Sequence, residues 1–419
     1  MRKKSESSSG RAGTVSSSGI ILIPGFDQFG GKQSEASALR NVLAHSGVVS
    51  PHTGQPFTEE LLFGIGGGIG LGYFVYQSGD FTSLFLATRI TSGAPDFLQA
   101  ICQRIGANPT IQHTSSAAAA EKNLKHALAQ GRPPILWVNP MALPYPGTTA
   151  GYHTLVAYGF DESNDKVFVA DRSEKALTLS RAELAAARQS GDVRKFRALL
   201  IEPQAKPPDL RKAVMQGLHD FCEQMQEGFG PPNFKSNFGL SALQKWADLL
   251  TNAKDKRGWP KFFPAGPRLF DALASAFDQI ENRGGGGSAF RPYYADFLVE
   301  AGAILENPEF NLVADQFRDS GQLWHELGEA LLPSSVSVFK ETKKLSTKKR
   351  TLFEKKGMGA SGEIGTINTR LAEIRSQVAE DFPLGASEVQ TLLADLRNRV
   401  LAIHAAEEQA VGALQALVD

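Results

Sequence analysis

Cysteine is almost missing from this sequence. Its 419 residues contain only Cys102 and Cys222, far apart and without C-x-x-C or cysteine–histidine spacing. A disulfide scaffold, a zinc ribbon and an iron–sulfur site are therefore not expected, and no residue is assigned to a metal. Net charge is missing too: 44 basic residues balance 44 acidic ones. That argues against a general polyanion binder, so no nucleic-acid partner is expected. Long apolar runs are absent, none approaching the ~18 residues of a membrane span. Residues 1–19 carry Arg2, Lys3, Lys4 and many serines, and the Ile20–Ile23 run that follows meets Pro24 at once. This is not the apolar core of a signal peptide. The expectation is a cytoplasmic protein with a disordered tail and no membrane span.

What is present is ordinary globular material, 42% apolar and 21% charged. At this length it suits two or three domains. The proline-rich stretch Pro203 to Pro208 reads as a linker. Before it the pattern is mixed. Ile20–Ile23 and Pro134–Val138 are short apolar runs of strand type. Glu35–His45 places Leu39, Val42 and Leu43 on one helical stripe. Gly151–Tyr158 and Lys166–Asp171 read as strands joined by a polar turn. After Pro208 nearly everything has helical spacing, closing in a helical hairpin broken at Pro383-Leu384-Gly385. The expected division is a tail over 1–19, an α+β domain over 20–202, a helical domain over 209–335, and a basic linker with a helical hairpin over 336–419. Lys340–Lys356 holds eight basic and two acidic residues, a solvated helix face or loose linker that could also meet an acidic partner. Trp137, Trp246, Trp259 and Trp324 lack stacking-motif spacing and read as core.

Four constellations bear on chemistry. Ser34 stands where the Glu35–His45 helix begins, after Gln28-Phe-Gly-Gly-Lys-Gln33. A helix N-terminus stabilises a developing alkoxide through its free N–H groups and dipole. Gln28 could donate its amide to an oxyanion. Serine is equally one of the commonest helix N-caps. On the expected hairpin, His153 faces the Asp171–Arg172 step, and a one-residue bulge would put His153 and Asp171 on one face. A carboxylate there would fix the imidazole tautomer of a general base. Otherwise the two are a half-buried strand histidine and a turn aspartate. The run Gly64 to Gly72 fits neither G-x-G-x-x-G nor a P-loop. It reads as close backbone packing, or as the wall of a cleft through Gly67 and Gly68. Gly284 to Arg291 combines a glycine nest, a helix start and a cation suited to phosphate. Its alternative is a turn capped by Ser288, with Arg291 pairing Asp296 or Glu300.

Gly25 to Arg40, Leu62 to Gly70, Leu143-Pro-Tyr145, His153 and Val169-Ala-Asp171 together resemble the N-terminal domain of the butirosin biosynthesis protein H family. Gly285 to Leu298 and Leu323-Trp-His-Glu-Leu327 resemble the helical domain of unknown function that usually follows it. The resemblance spans roughly residues 20 to 335. It implies an α+β class with a papain-like, C39-peptidase-related N-terminal fold and a mostly α-helical C-terminal domain. The activity implied is acyl transfer from an acyl carrier protein to the amine of a small acceptor. No resident cofactor is implied; phosphopantetheine would arrive on the carrier. Where the family has His-Cys, this chain has Gln33-Ser34. The expected machinery is Ser34 as nucleophile, His153 as base, Asp171 as its orienter and Gln28 at the oxyanion. Arg291, Gly67, Gly68 and Tyr145 are expected to bind substrate. Alternatives are an inactive binding homologue and a peptidase or amidase.

Overall fold

The computed structural model describes residues 14–15, 19–78, 81–89, 96–145, 153–189, 195–202, 209–283 and 287–419. Most of the expected tail, the linker at 203–208 and residues 284–286 of the glycine run lie outside the described residues. The fold is α+β. Two compact units are not consecutive in sequence: one comprises Met1–Phe57, Gly106–Pro207 and Glu354–Met358, the other Thr58–Ile105, Pro208–Phe353 and Gly359–Asp419.

The first unit is built on an eight-stranded antiparallel sheet. Its strands are β1 (Thr14–Val15), β2 (Ile20–Leu22), β3 (Asn108–Gln112), β4 (Ile135–Val138), β5 (His153–Asp161), β6 (Lys166–Ala170), β7 (Leu177–Leu179) and β8 (Ala198–Glu202). The order is β1-β2-β5-β4-β8-β3, with β6 pairing β5 and β7. β4 and β5 are buried along their whole length, which is why they read as continuous apolar runs rather than alternating ones. The β5–β6 turn closes on Asp161, whose carboxylate accepts from Ser163 Oγ and from the backbone N–H and side-chain amide of Asn164. Three helices complete the unit: α1 (Ser34–His45), α2 (Ala117–Ala129) and α3 (Arg181–Gln189).

The second unit is helical except for the Gly72–Ser78 and Phe81–Ala87 hairpin. Its longer helices after the sheet are α4 (Leu210–Glu227), α5 (Gly239–Thr251), α6 (Pro267–Glu281), α7 (Arg291–Leu305), α8 (Glu309–Leu331), α9 (Ser337–Lys356), α10 (Ser361–Glu380) and α11 (Ala386–Val418). The basic stretch expected as a linker is α9, a continuous helix whose last three residues group with the first unit. Lys, Arg, Glu and Leu are good helix formers, and Phe339 and Phe353 bury one side. Trp246, Trp259 and Trp324 are core, and Trp259 donates to the Tyr73 hydroxyl at 2.9 Å. The helix α10 buries Ile364, Ile367, Ile374 and Val378, and α11 buries Leu392, Leu396, Val400 and Ile403.

Arg291 does not serve a phosphate in this structure. Its side chain is 0% exposed and clamps Glu407 of α11 through Nε at 2.6 Å and Nη2 at 2.9 Å. Glu407 also accepts from Ser320 Oγ and Trp324 Nε1. Neither expected partner, Asp296 or Glu300, takes the guanidinium; a residue 116 positions away does. The preceding Gly287, Ser288, Ala289 and Phe290 all have positive φ. That left-handed turn is costly for side-chain-bearing residues, and Arg291 Nη1 ties it down at the Ala289 carbonyl, 2.8 Å away. Gly67 and Gly68 are likewise packed rather than open. A Cβ on Gly68 would overlap the Tyr294 ring, and one on Gly67 would stand 3.0 Å from Gln224 Nε2.

Removing one member of the buried pair leaves an uncompensated charge, so Arg291→Met or Glu407→Gln should each cost about 3–5 kcal/mol. The double replacement Arg291→Met/Glu407→Leu should recover much of that loss in urea unfolding. A second test concerns the interleaved chain. Residues 20–202 expressed alone should expose Leu71, Tyr73, Leu84 and Leu86, which are buried here, and aggregate. A soluble, cooperatively melting fragment would show that Thr58–Ile105 folds without the later helices.

Candidate active site

The site grows from two local features of the first unit, the start of α1 and the end of the β5–β6 hairpin. At α1 the cap is Gln33, whose Oε1 accepts the Ala36 N–H at 2.6 Å. Ser34 is thus the first helical residue, and its hydroxyl is not consumed in capping. The loop before it is fixed at both sides. Gly30, at φ +77°, donates its N–H to the Ser173 carbonyl at 2.9 Å. Arg40 Nη2 reaches back to the Gly30 carbonyl at 2.8 Å. Gln28 spends its amide on Asp27 at 2.8 Å, so the expected oxyanion donor is engaged elsewhere in this structure.

The hairpin supplies the acid–imidazole pair. Near the turn Phe160 pairs with Val167, whereas beyond a bulge at Ala157/Gly159 Val156 pairs with Ala170. The inserted residue reverses the alternation, and the second register puts His153 and Asp171 on one face. Their side chains meet: His153 Nε2 lies 2.9 and 2.8 Å from the two Asp171 oxygens. Asp171 also accepts from the Tyr145 hydroxyl at 3.0 Å and from the Arg172 N–H at 2.7 Å. Thr154 Oγ1, next to His153, donates to the Ser34 carbonyl at 2.9 Å, which anchors the start of α1 to the start of β5. Among the described residues, no hydrogen bond joins the Ser34 hydroxyl to His153. Apo sites commonly hold such contacts loose.

Electrostatics set the protonation pattern. Burial alone would raise the Asp171 carboxyl, but the facing His153, followed by Arg172, outweighs it and holds the group below its ordinary value. An ionised Asp171 only accepts, so the proton between it and His153 sits on Nε2. That leaves Nδ1 as the nitrogen free to work as a base. Burial, followed by the Asp171 charge, pushes the Tyr145 phenol well above its usual range, so it remains a donor. Tyr145, expected at the substrate, is therefore held on the acid instead. Both thiols are unsuited to replace Ser34 as nucleophile: burial pushes Cys102 and Cys222 up to about 12.

The structure joins His153 to Asp171 directly and reaches Ser34 only through the Thr154 bond to its carbonyl. The sequence reading missed the Tyr145–Asp171 bond, the Gln33 cap and the Thr154 anchor. Thr154 and Gln33 adjoin residues already singled out. For Tyr145 no spacing rule could have supplied its partner, 26 residues away.

Residues 33–172 match the family model described as butirosin biosynthesis protein H, N-terminal. Residues 182–354 match the domain of unknown function DUF4872. A butirosin biosynthesis protein H N-terminal segment is thus followed by a DUF4872 segment, the order in which the resembling motifs occur. No curated protein matches it. The butirosin-H-type segment opens on Gln33–Ser34 and closes on Arg172, so it encloses Ser34, Tyr145, His153 and Asp171, whereas Gln28 precedes it. Arg291 falls in the DUF4872 segment. Neither segment coincides with a compact unit: Thr58–Ile105 of the first and β8 of the second each group with the other unit's residues.

The folded Asp171 value lies below that of an unfolded aspartate, about 3.9. Its contribution to stability is thus complete above about pH 4 and is lost as pH falls through the folded value. Asp171→Asn should be less stable than the natural chain by about 1–3 kcal/mol at neutral pH, and the gap should close in acid. Melting curves recorded from about pH 7 to pH 2 check this; parallel curves would mean that the His153–Asp171 pair contributes nothing.

Proposed function

We propose that the protein is an acyltransferase of the butirosin-H type, moving an acyl group from a carrier-protein thioester to an amine acceptor within a papain-like fold. The observation that carries this reading is the buried His153–Asp171 pair beside the Ser34 end of α1. In the first step Ser34 Oγ attacks the thioester carbonyl while His153 Nδ1 takes the hydroxyl proton. The C–S bond then breaks, the carrier thiolate leaves with that proton, and Ser34 holds the acyl group as an ester. In the second step the acceptor amine attacks the ester, His153 again relays a proton, and an amide forms as Ser34 is released. Asp171 keeps the Nε2–H in place and balances the imidazolium charge. Backbone N–H groups at the start of α1 face the developing oxyanion, joined by Gln28 once its amide leaves Asp27. The phosphopantetheine arm belongs to the carrier substrate.

Serine is much less ionised than the family's cysteine and depends fully on His153 for activation. That substitution, with the unformed Ser34–His153 hydrogen bond, favours one rival: a homologue that retains the cleft for binding and does not turn over. Intact-mass measurements after incubation with acyl-carrier substrates separate the two. The transferase reading expects an acyl adduct on the natural chain, no adduct on Ser34→Ala, and a rate lowered about 10²–10⁴-fold in His153→Ala. The binding homologue expects no adduct on the natural chain and thiol-dependent turnover in Ser34→Cys. No adduct on either chain would end the acyl-enzyme reading.

A further inference from the structure

A cavity of about 240 Å³ lies in the first unit and shares no residue with the Ser34 site. Phe160 and Val167 of the hairpin, Leu124 of α2 and Leu184 of α3 line it. Phe196 and Arg188 also belong to the lining. The lining is apolar apart from its charged groups, and those differ sharply. Arg181 is already neutralised, bonding both Glu121 oxygens at 2.9 and 3.0 Å. Arg188 is not. Its side chain is buried, and Nη2 donates to the Phe196 carbonyl at 2.6 Å. Its Nε is buried with no hydrogen-bond partner among the described residues, and no carboxylate pairs with it there. A buried cation without an anion is expensive to hold. Burial draws its pKa down to about 10, which still leaves it charged at neutral pH.

A guanidinium in the lining of a largely apolar chamber, without an ionised partner among the described residues, is complementary to one planar anion attached to an apolar body. With Arg181 occupied, a single positive charge remains, which matches a monoanion better than a dianion. The volume is below that of a drug-sized pocket and suits a single medium-length aliphatic chain. We propose that this cavity binds a medium-chain carboxylate, its head on Arg188 and its chain over Phe160 and Val167.

Calorimetry on the full chain with octanoate, octylamine, octanol and inorganic phosphate tests this directly, independently of any acyl transfer at Ser34. The expected result is one octanoate per chain, bound at least tenfold more tightly than octylamine, with no binding of phosphate alone. Arg188→Met should weaken octanoate roughly ten- to a hundredfold, the loss of one charged hydrogen-bonded contact. It should fold at least as well as the natural chain, since it removes an unpaired buried charge. Ala185→Phe, which fills the chamber from α3 and leaves Arg188 in place, should abolish octanoate binding, with melting curves confirming that it folds. The proposal is overturned if octanoate does not bind, if Arg188→Met binds it equally well, or if a folded Ala185→Phe chain still takes it up. Phosphate binding as strong as octanoate would equally overturn it, marking a general anion site.

Discussion

A buried carboxylate is tolerable only when donors surround it, and Asp171 shows how much structure that requirement recruits. Its two oxygens collect His153 Nε2, the Tyr145 hydroxyl and the Arg172 N–H. Each donor comes from a different place: the first residue of β5, the segment following β4, and the turn leaving β6. Satisfying Asp171 therefore fixes the relative positions of three chain segments. The adjoining turn extends the same constraint, since Ser173 receives Gly30 and Glu174 N–H reaches the Glu354 carbonyl at 2.7 Å.

The second unit repeats the device with Glu407, which collects Arg291, Trp324 and Ser320. Burial opposes ionisation there as well, and Arg291 with the neighbouring donors reverses it, leaving the carboxyl below its ordinary value. The two carboxylates differ in what they leave over. Glu407 ends in a closed network with the arginine fully covered, which is a structural lock. Asp171 ends on an imidazole with one nitrogen unspent, which is the starting point for proton transfer.

The arrangement of α1 complements that difference. A glutamine cap relieves Ser34 of the task that serine usually performs at this position. The hydroxyl is then left outside the cap, at a helix end that favours negative charge. Arg188 presents the opposite imbalance, a cation to which the described residues offer the Phe196 carbonyl and ring and nothing ionised. Such imbalances are where a folded chain has something to offer a ligand, because packing alone gives no reason to keep them.

Local patterns determined much of this protein. The 3,4 spacing of Leu39, Val42 and Leu43, and of the Ile364–Val378 and Val389–Ile403 stripes, made the helices legible, since amphipathic periodicity depends only on neighbours in sequence. The apolar runs of β4 and β5 were legible for the same reason, and the His153–Asp171 pairing followed from hairpin geometry once a bulge was allowed. Motifs in a fixed order carried the family. What only the tertiary structure decided were partners far apart in the chain. Arg291 took Glu407 rather than Asp296 or Glu300, because burial makes a distant carboxylate on a packed helix the nearest available one. The glycines at 67 and 68 closed against Gln224 and Tyr294, and Thr58–Ile105 left its sequence neighbours for the later helices. A lysine-rich segment without strong apolar spacing became α9 because Phe339 and Phe353 found cover. Charge satisfaction and close packing are summed over the whole fold, and no local window of sequence contains that sum.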